Sequence, residues 1–284
     1  MSTWNQVKAA ATLAACTVMA AACGRASAEA AKGPAAPEPR VVTVVAQDFA
    51  FTAPDEIPAG LVTFRLQNHG PSLHHMAIIR LDEGKTLQDF FDAMKAGGPP
   101  PAWEHDMGGP NAPDPGSESN ATMMLTPGNY AILCFVDLGD HVPHFMKGMA
   151  HALKVTPAAV PASAASVGGD IVISLSDYAF AVSKPITAGQ HTLRVENTAA
   201  QSHEVELVKL APGKTVQDLL MWMDHPQGPP PGNALGGIAG EAHGVAESFT
   251  YDFAPGNYAL VCFLPGPDGK PHFMHGMIQP FTVS

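Results

Sequence analysis

The sequence predicts an all-β fold made of two tandem β-sandwiches, each with one short inserted helix. An internal repeat, period-two strand patterns within it and an abundance of turn residues carry that prediction. Arg65-Leu66-Gln67-Asn68 with His74 returns as Arg194-Val195-Glu196-Asn197 with His203, and Gly84 to Asp89 returns as Gly213 to Asp218. Pro127 to Phe135 returns as Pro255 to Phe263; Pro143-His144-Phe145-Met146 with Gly148-Met149 returns as Pro271-His272-Phe273-Met274 with Gly276-Met277. Four blocks in one order describe a tandem duplication, with copies at 41–156 and 169–284 and a Pro/Ala/Ser-rich linker at 157–168. The chain holds 27 Gly and 27 Pro, which cost free energy inside helices and suit the turns of a sandwich.

Residues 1–28 read as an export signal, in which Lys8 precedes an apolar run from Ala9 to Ala22, too short to span a bilayer as a stable helix. Three processing points are open: lipid attachment at Cys23, lipid attachment at Cys16, or cleavage after Ala28. Cys23 is favoured because the Ala/Pro-rich stretch that follows, 29–40, has the composition of a tether. This places the protein in the periplasm or at the outer envelope surface, with a lipid as its only membrane attachment; plain secretion is the alternative.

Val62, Phe64 and Leu66 alternate with polar residues, as do Leu193 and Val195, the pattern of half-buried strands. In the next strand His203 shares a face with Val205 and Leu207, and Glu204 and Glu206 take the other. The same register puts His74 with Met76 and Ile78, and His75 with Ala77 and Ile79. Thr86 and Thr215, each three residues before an Asp, read as N-caps of helices over Leu87–Lys95 and Val216–Met223. The Pro/Gly-rich segments Gly97–Ser119 and Gly228–Gly244 are expected to be long loops. A further strand then carries Tyr130, Ile132 and Cys134 on one face, repeated by Tyr258, Leu260 and Cys262.

Lys and Arg total 15 against 26 Asp and Glu, a formal net charge of -11, with no basic cluster. That excludes a nucleic-acid binder and favours basic partners through electrostatic steering. Four cysteines spread over the chain are too few for a disulfide framework. They leave Cys134 and Cys262, one per copy, at equivalent strand ends.

Each copy thus supplies a His on an inward face, a strand-end Cys, a second His after nine intervening residues, and a Met after four more. Two imidazoles, a thiolate and a weak thioether suit mononuclear copper in electron transfer. The candidate ligands are His74, Cys134, His144 and Met149, then His203, Cys262, His272 and Met277. His75 and Met146 or Met274 stay open as alternatives. His74 is preferred because it alone matches His203, and Met149 and Met277 because four intervening residues let the chain fold beneath the ion.

With these residues the sequence resembles the cupredoxins, the plastocyanin and azurin superfamily of type 1 blue copper proteins. The resemblance rests on Asn68 with His74, Pro127-Gly128-Asn129-Tyr130 leading to Cys134, and His144 with Met149, and on their counterparts in the second copy. It departs in the Cys-to-His gap, which is at the long end for the family and near that of the copper nitrite reductases. The resemblance implies a Greek-key sandwich, a copper cofactor and single-electron exchange with a redox partner such as a cytochrome. Pro143, Phe145, Pro271 and Phe273 would form the apolar patch where the electron leaves. Two other functions are open: Cu(I) handling by the His/Met-rich loops around Met146, His151, Met274 and His275, or a metal-free interaction module. The sequence is not expected to be an enzyme, because the resembling oxidases and reductases place His beside the Cys. Here Cys134 lies between Leu133 and Phe135, and Cys262 between Val261 and Phe263.

Overall fold

Alternation decides which faces meet. In the strand Gly60–Asn68 the side chains of Val62, Phe64 and Leu66 are buried between more exposed neighbours, and Leu193 and Val195 repeat this in Gly189–Asn197. The computed structural model describes residues 38–96, 99–137, 139–158 and 167–284. The expected export signal, Cys16, Cys23, and most of the 29–40 and 157–168 linkers lie outside the described residues. Among the described residues no helix is long and apolar enough to cross a membrane.

The first half runs β1 (Arg40–Gln47), β2 (Ala50–Thr52), β3 (Glu56–Pro58), β4 (Gly60–Asn68), β5 (Ala77–Leu81), α1 (Leu87–Lys95), β6 (Glu104–Gly108), β7 (Glu118–Leu125), β8 (Gly128–Leu133) and β9 (Ala150–Thr156). The second runs β10 (Ile171–Ser176), β11 (Ala179–Val182), β12 (Gly189–Asn197), β13 (His203–Leu210), α2 (Val216–Asp224), β14 (Gly232–Glu241), β15 (Ala246–Phe253), β16 (Gly256–Val261) and β17 (Ile278–Val283). In each half the first strand lies parallel to a later one, β1 to β4 and β10 to β12. Two sheets face each other over each core. Val44, Phe64, Leu66, Ile78 and Ile132 fill the first, and Ile173, Val195, Leu207, Phe249 and Leu260 fill the second. Each such side chain contributes about 1.5 to 3 kcal/mol by leaving water.

The halves share their sheets. One sheet has eight strands in the order β11-β10-β12-β15-β7-β4-β1-β2, and the other has nine in the order β17-β16-β13-β14-β6-β5-β8-β9-β3. The joins are short: Ser248 faces Thr122 between β15 and β7, and Glu241 faces Met107 between β14 and β6.

Those joins correct the long-loop expectation. Gly97–Ser119 contains β6, and Gly228–Gly244 contains the ten residues of β14. Glycine there serves close backbone approach rather than flexibility. Gly237 has φ +132, and a Cβ on it would sit 2.1 Å from the Val205 carbonyl oxygen. Across the junction the Asn111 N–H donates to the Gly237 carbonyl (3.1 Å), and the Ala239 N–H donates to Gly109 (2.8 Å). The same junction buries the polar face of β13. Glu204 and Glu206 lie beneath the Pro110–Asp114 stretch, with the Asn111 amide donating to Glu204 (3.3 Å) and the Ala112 N–H to Glu206 (3.2 Å).

Both helices begin where the caps predict. Thr86 and Thr215 accept from the backbones of Asp89 and Asp218, whose carboxylates return the bond to the cap N–H.

Candidate metal centres

The side chain of Asn68 builds the approach to the first site. It donates to the carbonyls of Ser72 (2.8 Å) and Pro113 (3.0 Å) and accepts from the Gly70 N–H, fixing the loop that delivers His74 to the mouth of the sandwich. Asn197 does the same for His203 through Gln201, Glu241 and Ala199. On the other sheet β8 ends at Leu133, and Cys134 follows. The chain then returns through a tight turn over His144–Lys147, closed by Gly148 at φ 109. Backbone bonds tie this turn to the cysteine: the Phe145 N–H donates to Cys134 (2.8 Å), the Cys134 N–H to Met149 (3.3 Å), and the Met149 N–H to His144 (3.0 Å). Cys262, His272 and Met277 carry the same three bonds in the second half.

These constraints bring His74, Cys134 and His144 together, and likewise His203, Cys262 and His272; within each trio the donor atoms lie within 4.8 Å of one another and all three residues are buried. Nδ1 of His74 is 3.1 Å from Nδ1 of His144, which is 3.5 Å from the Cys134 sulfur. The second trio repeats this at 3.0 and 3.3 Å. Donors bonded to one ion at about 2.0 to 2.3 Å stand roughly 3.3 to 3.7 Å apart, so small shifts of the side chains would seat one. Met149 and Met277 are fully buried in the two cores, in the clusters that hold Cys134 and Cys262, whereas Met146 and Met274 are 42% and 60% exposed. His75 is buried but turned away from the trio, its Nε2 accepting the Phe135 N–H at 2.7 Å. His105, His141 and His225 are exposed.

Two site residues escape the sequence reading. Nε2 of His74 lies 2.6 Å from Oδ1 of Asp48, and Nε2 of His203 lies 3.2 Å from Oδ1 of Asp177. The signal was a short shared block, Asp48-Phe49-Ala50-Phe51 against Asp177-Tyr178-Ala179-Phe180, at the same distance before each His. Phe49 and Tyr178 meet the rings of His144 and His272 edge-on at 4.8 and 5.1 Å. Phe145, expected at an exposed patch, is instead buried against Phe90 and Phe91 of α1; the exposed apolar side chains on this loop are Val142 and Met146.

The electrostatics suit a cation. Burial lowers the pKa of His74, with Asp48 pulling the other way, and lowers His144, with His74 adding to the effect. Neutral imidazoles therefore face the centre. Burial pushes the Cys134 thiol up to about 12 and raises Cys262 further, against the backbone amides of His75 and Val136 at the first sulfur. A thiolate here requires a positive charge beside it. Nε2 of His144 and of His272 are buried without a hydrogen-bond partner. In each trio the two Nδ1 atoms face one another, and the downstream one also faces the cysteine sulfur. The donor set fits copper, whose soft and borderline ligands are thiolate and imidazole.

No family model matches the chain, and no curated protein sequence does. Solved structures do. An auracyanin from Roseiflexus castenholzii aligns with 41% of this chain and 97% of its own, at 22% identity and a TM-score of 0.30. A blue copper oxidase from Nitrosomonas europaea aligns with 87% of this chain and 86% of its own, at 17% identity and 0.27. A copper nitrite reductase from the same organism covers 87% and 94%, at 14% identity and 0.26. The fold is tandem cupredoxin-like. Two facing sheets over each core, the parallel pairs β1–β4 and β10–β12, and the same order of His, Cys, His and Met in both halves carry that fold.

The expectation that the chain is not an enzyme is corrected by the matches that span both cupredoxin-like halves, an oxidase and a nitrite reductase among them. The missing His beside each Cys removes one route from thiolate to a second centre. It has no bearing on reactions that use the first centre itself.

Proposed function

We propose that each cupredoxin-like half, 41–156 and 169–284, holds one copper ion and that the protein moves single electrons through the two sites. His74, Cys134 and His144 would supply the trigonal donors and Met149 the weak axial one; His203, Cys262, His272 and Met277 would do so in the second half. The observation that carries this reading is the convergence, in both halves, of two Nδ1 atoms and one sulfur within 4.8 Å, fully enclosed. Copper in such a set changes charge with little rearrangement. The chain's own residues keep the rings neutral, hold their orientation from behind through Asp48 and Asp177, and exclude water.

Enclosure also weighs against copper shuttling, since a carrier that hands over Cu(I) needs accessible donors, and the exposed Met146 and Met274 stand outside the trios. A net charge of -11 favours a basic redox partner such as a cytochrome. Its docking surface would lie over Val142 and Met146 beside His144. Export to the periplasm, with lipid attachment at Cys23, follows from the N-terminal sequence.

Adding Cu(II) to the metal-free protein should give an intense visible thiolate-to-copper band, lost when Cys134→Ala and Cys262→Ala are combined. Colourless, weakly held copper would overturn the reading.

A further inference from the structure

We propose that the cavity beside α2 binds a small organic amine in its protonated form, an ammonium group carried on an aromatic or short alkyl body. The proposal does not rest on the copper sites. The cavity measures about 450 Å³, within the range of small-molecule sites. α2 supplies Leu219, Trp222 and Met223 to its wall, and the residues that follow the two cysteines, Phe135 and Phe263, supply two aromatic rings. Leu73 and Phe263, 37% and 39% exposed, are among the large apolar side chains left open to solvent, and both stand on this wall. Exposed apolar side chains gathered round one hollow mark a binding site, which single scattered ones do not.

The polar part of the lining decides the charge of the ligand. Glu204 and Glu206 share a face of β13 and both line the cavity, 3% and 4% exposed. Glu204 accepts from the Phe263 N–H (2.7 Å) and the Asn111 amide (3.3 Å), and Glu206 from the N–H groups of Gly236 and Ala112 (both 3.2 Å). Each of the four oxygens holds one N–H, and a carboxylate oxygen accepts two. Asp114 and Asp137 add two more carboxylates, and no Lys or Arg stands among the described lining residues. His75 is kept neutral there by burial, its pKa lowered to about 4. Burial lifts Glu204 to about 7, and burial with repulsion from Glu204 raises Glu206 well above 4.5. A buried carboxylate without a cation is costly, so an ammonium group beside the pair lets it ionise, whereas an anion would add to the cost. The rings of Trp222, Phe135 and Phe263 favour the same charge. The first half lacks these features: His75 and Ala77 stand at the positions of Glu204 and Glu206, and Phe90, fully buried, at that of Leu219.

The test titrates the full chain by calorimetry with three probes of one shape: 2-phenylethylamine, the neutral 2-phenylethanol and the anionic 3-phenylpropionate. The amine should bind about ten-fold or more tightly than the alcohol, as charge-assisted hydrogen bonds to a buried carboxylate require, and the anion should not bind. Glu206→Gln should remove most of the amine's advantage and leave the alcohol unchanged. Leu219→Phe, which installs the residue found at this place in α1, should fill the cavity and weaken amine and alcohol alike by about ten-fold. The three probes on the unaltered chain decide the matter if Glu206→Gln does not fold. An amine that binds no more tightly than the alcohol, an anion that binds as well as the amine, or amine binding that Leu219→Phe leaves unchanged would overturn the proposal.

Discussion

Asp48 holds His74 from behind, with Oδ1 2.6 Å from Nε2. The carboxylate keeps the ring proton on that nitrogen and leaves the Nδ1 lone pair facing His144 and Cys134. Without it the ring is free to rotate and to take the other tautomer. Asp48→Ala should weaken copper binding at the first site by about 10- to 100-fold, measured by competition with a chelator, and leave the second site unaltered. Asp177 is more exposed and stands 3.2 Å from His203, so Asp177→Ala should cost less.

Cys134→Ala should remove one copper per chain and about half of the visible absorbance, which metal analysis and spectroscopy check together. The stability effect separates ligation from packing. Without copper, Cys134 is a buried neutral thiol, and its loss costs about 1 kcal/mol. With free copper at about 100 times its Kd, the intact site gains about 2.7 kcal/mol that the variant cannot gain at that site. The copper-induced rise in Tm should therefore shrink in Cys134→Ala, and equally in Cys262→Ala.

Gly237→Ala tests the junction. A Cβ there would press on the Val205 carbonyl at 2.1 Å, and the backbone sits at φ +132. Strain of this kind costs about 1 to 3 kcal/mol, read as a lower denaturation midpoint. Gly84 also has a positive φ, +80, but open space around it. Gly84→Ala should cost less, and equal losses would show that the close approach to Val205 does not matter.

The order of the candidate donors was legible because it is local. His74 rather than His75 follows from the register shared with His203, and a Cys at a strand end with His and Met on one return loop can be read without a structure. Asp48 and Asp177 were legible in principle, from a four-residue block too short to notice beside the longer repeats. The junction was hidden for a physical reason. β14 contains Gly236, Gly237 and Gly240, and glycine selected for close approach has the same composition as glycine selected for turns. Glu204 and Glu206 read only as the face opposite His203, because nothing in β13 reveals that Asn111, roughly a hundred residues earlier, lies over them.

The last prediction concerns Glu241 and Glu247, both fully buried near the join of the halves. Both Glu241 oxygens and Oε1 of Glu247 have no hydrogen-bond partner, while Oε2 of Glu247 accepts the Gly109 N–H at 3.0 Å. Burial raises both carboxyls well above 4.5; Glu247 adds repulsion at Glu241, and Arg194 offsets a little of it. Burial also lifts Glu104 to about 8. The folded protein therefore keeps protons that the unfolded chain releases above about 4.5, and this contribution is lost as pH rises through the folded values, at about 1.4 kcal/mol per pH unit for each such proton. The buried histidines act in the opposite sense. Their folded pKa values lie below 6.5, so they favour folding increasingly as pH rises to about 6.5 and add no slope beyond it. Between about 4.5 and 6.5 the two groups oppose each other; above 6.5 only the carboxyls act. The metal-free protein should lose stability from pH 6.5 to 8 in denaturant titrations. Glu241→Gln removes one of those protons from the balance and should flatten the decline while raising the midpoint at pH 8. A slope unchanged by Glu241→Gln would mean that this carboxyl is already ionised in the folded protein.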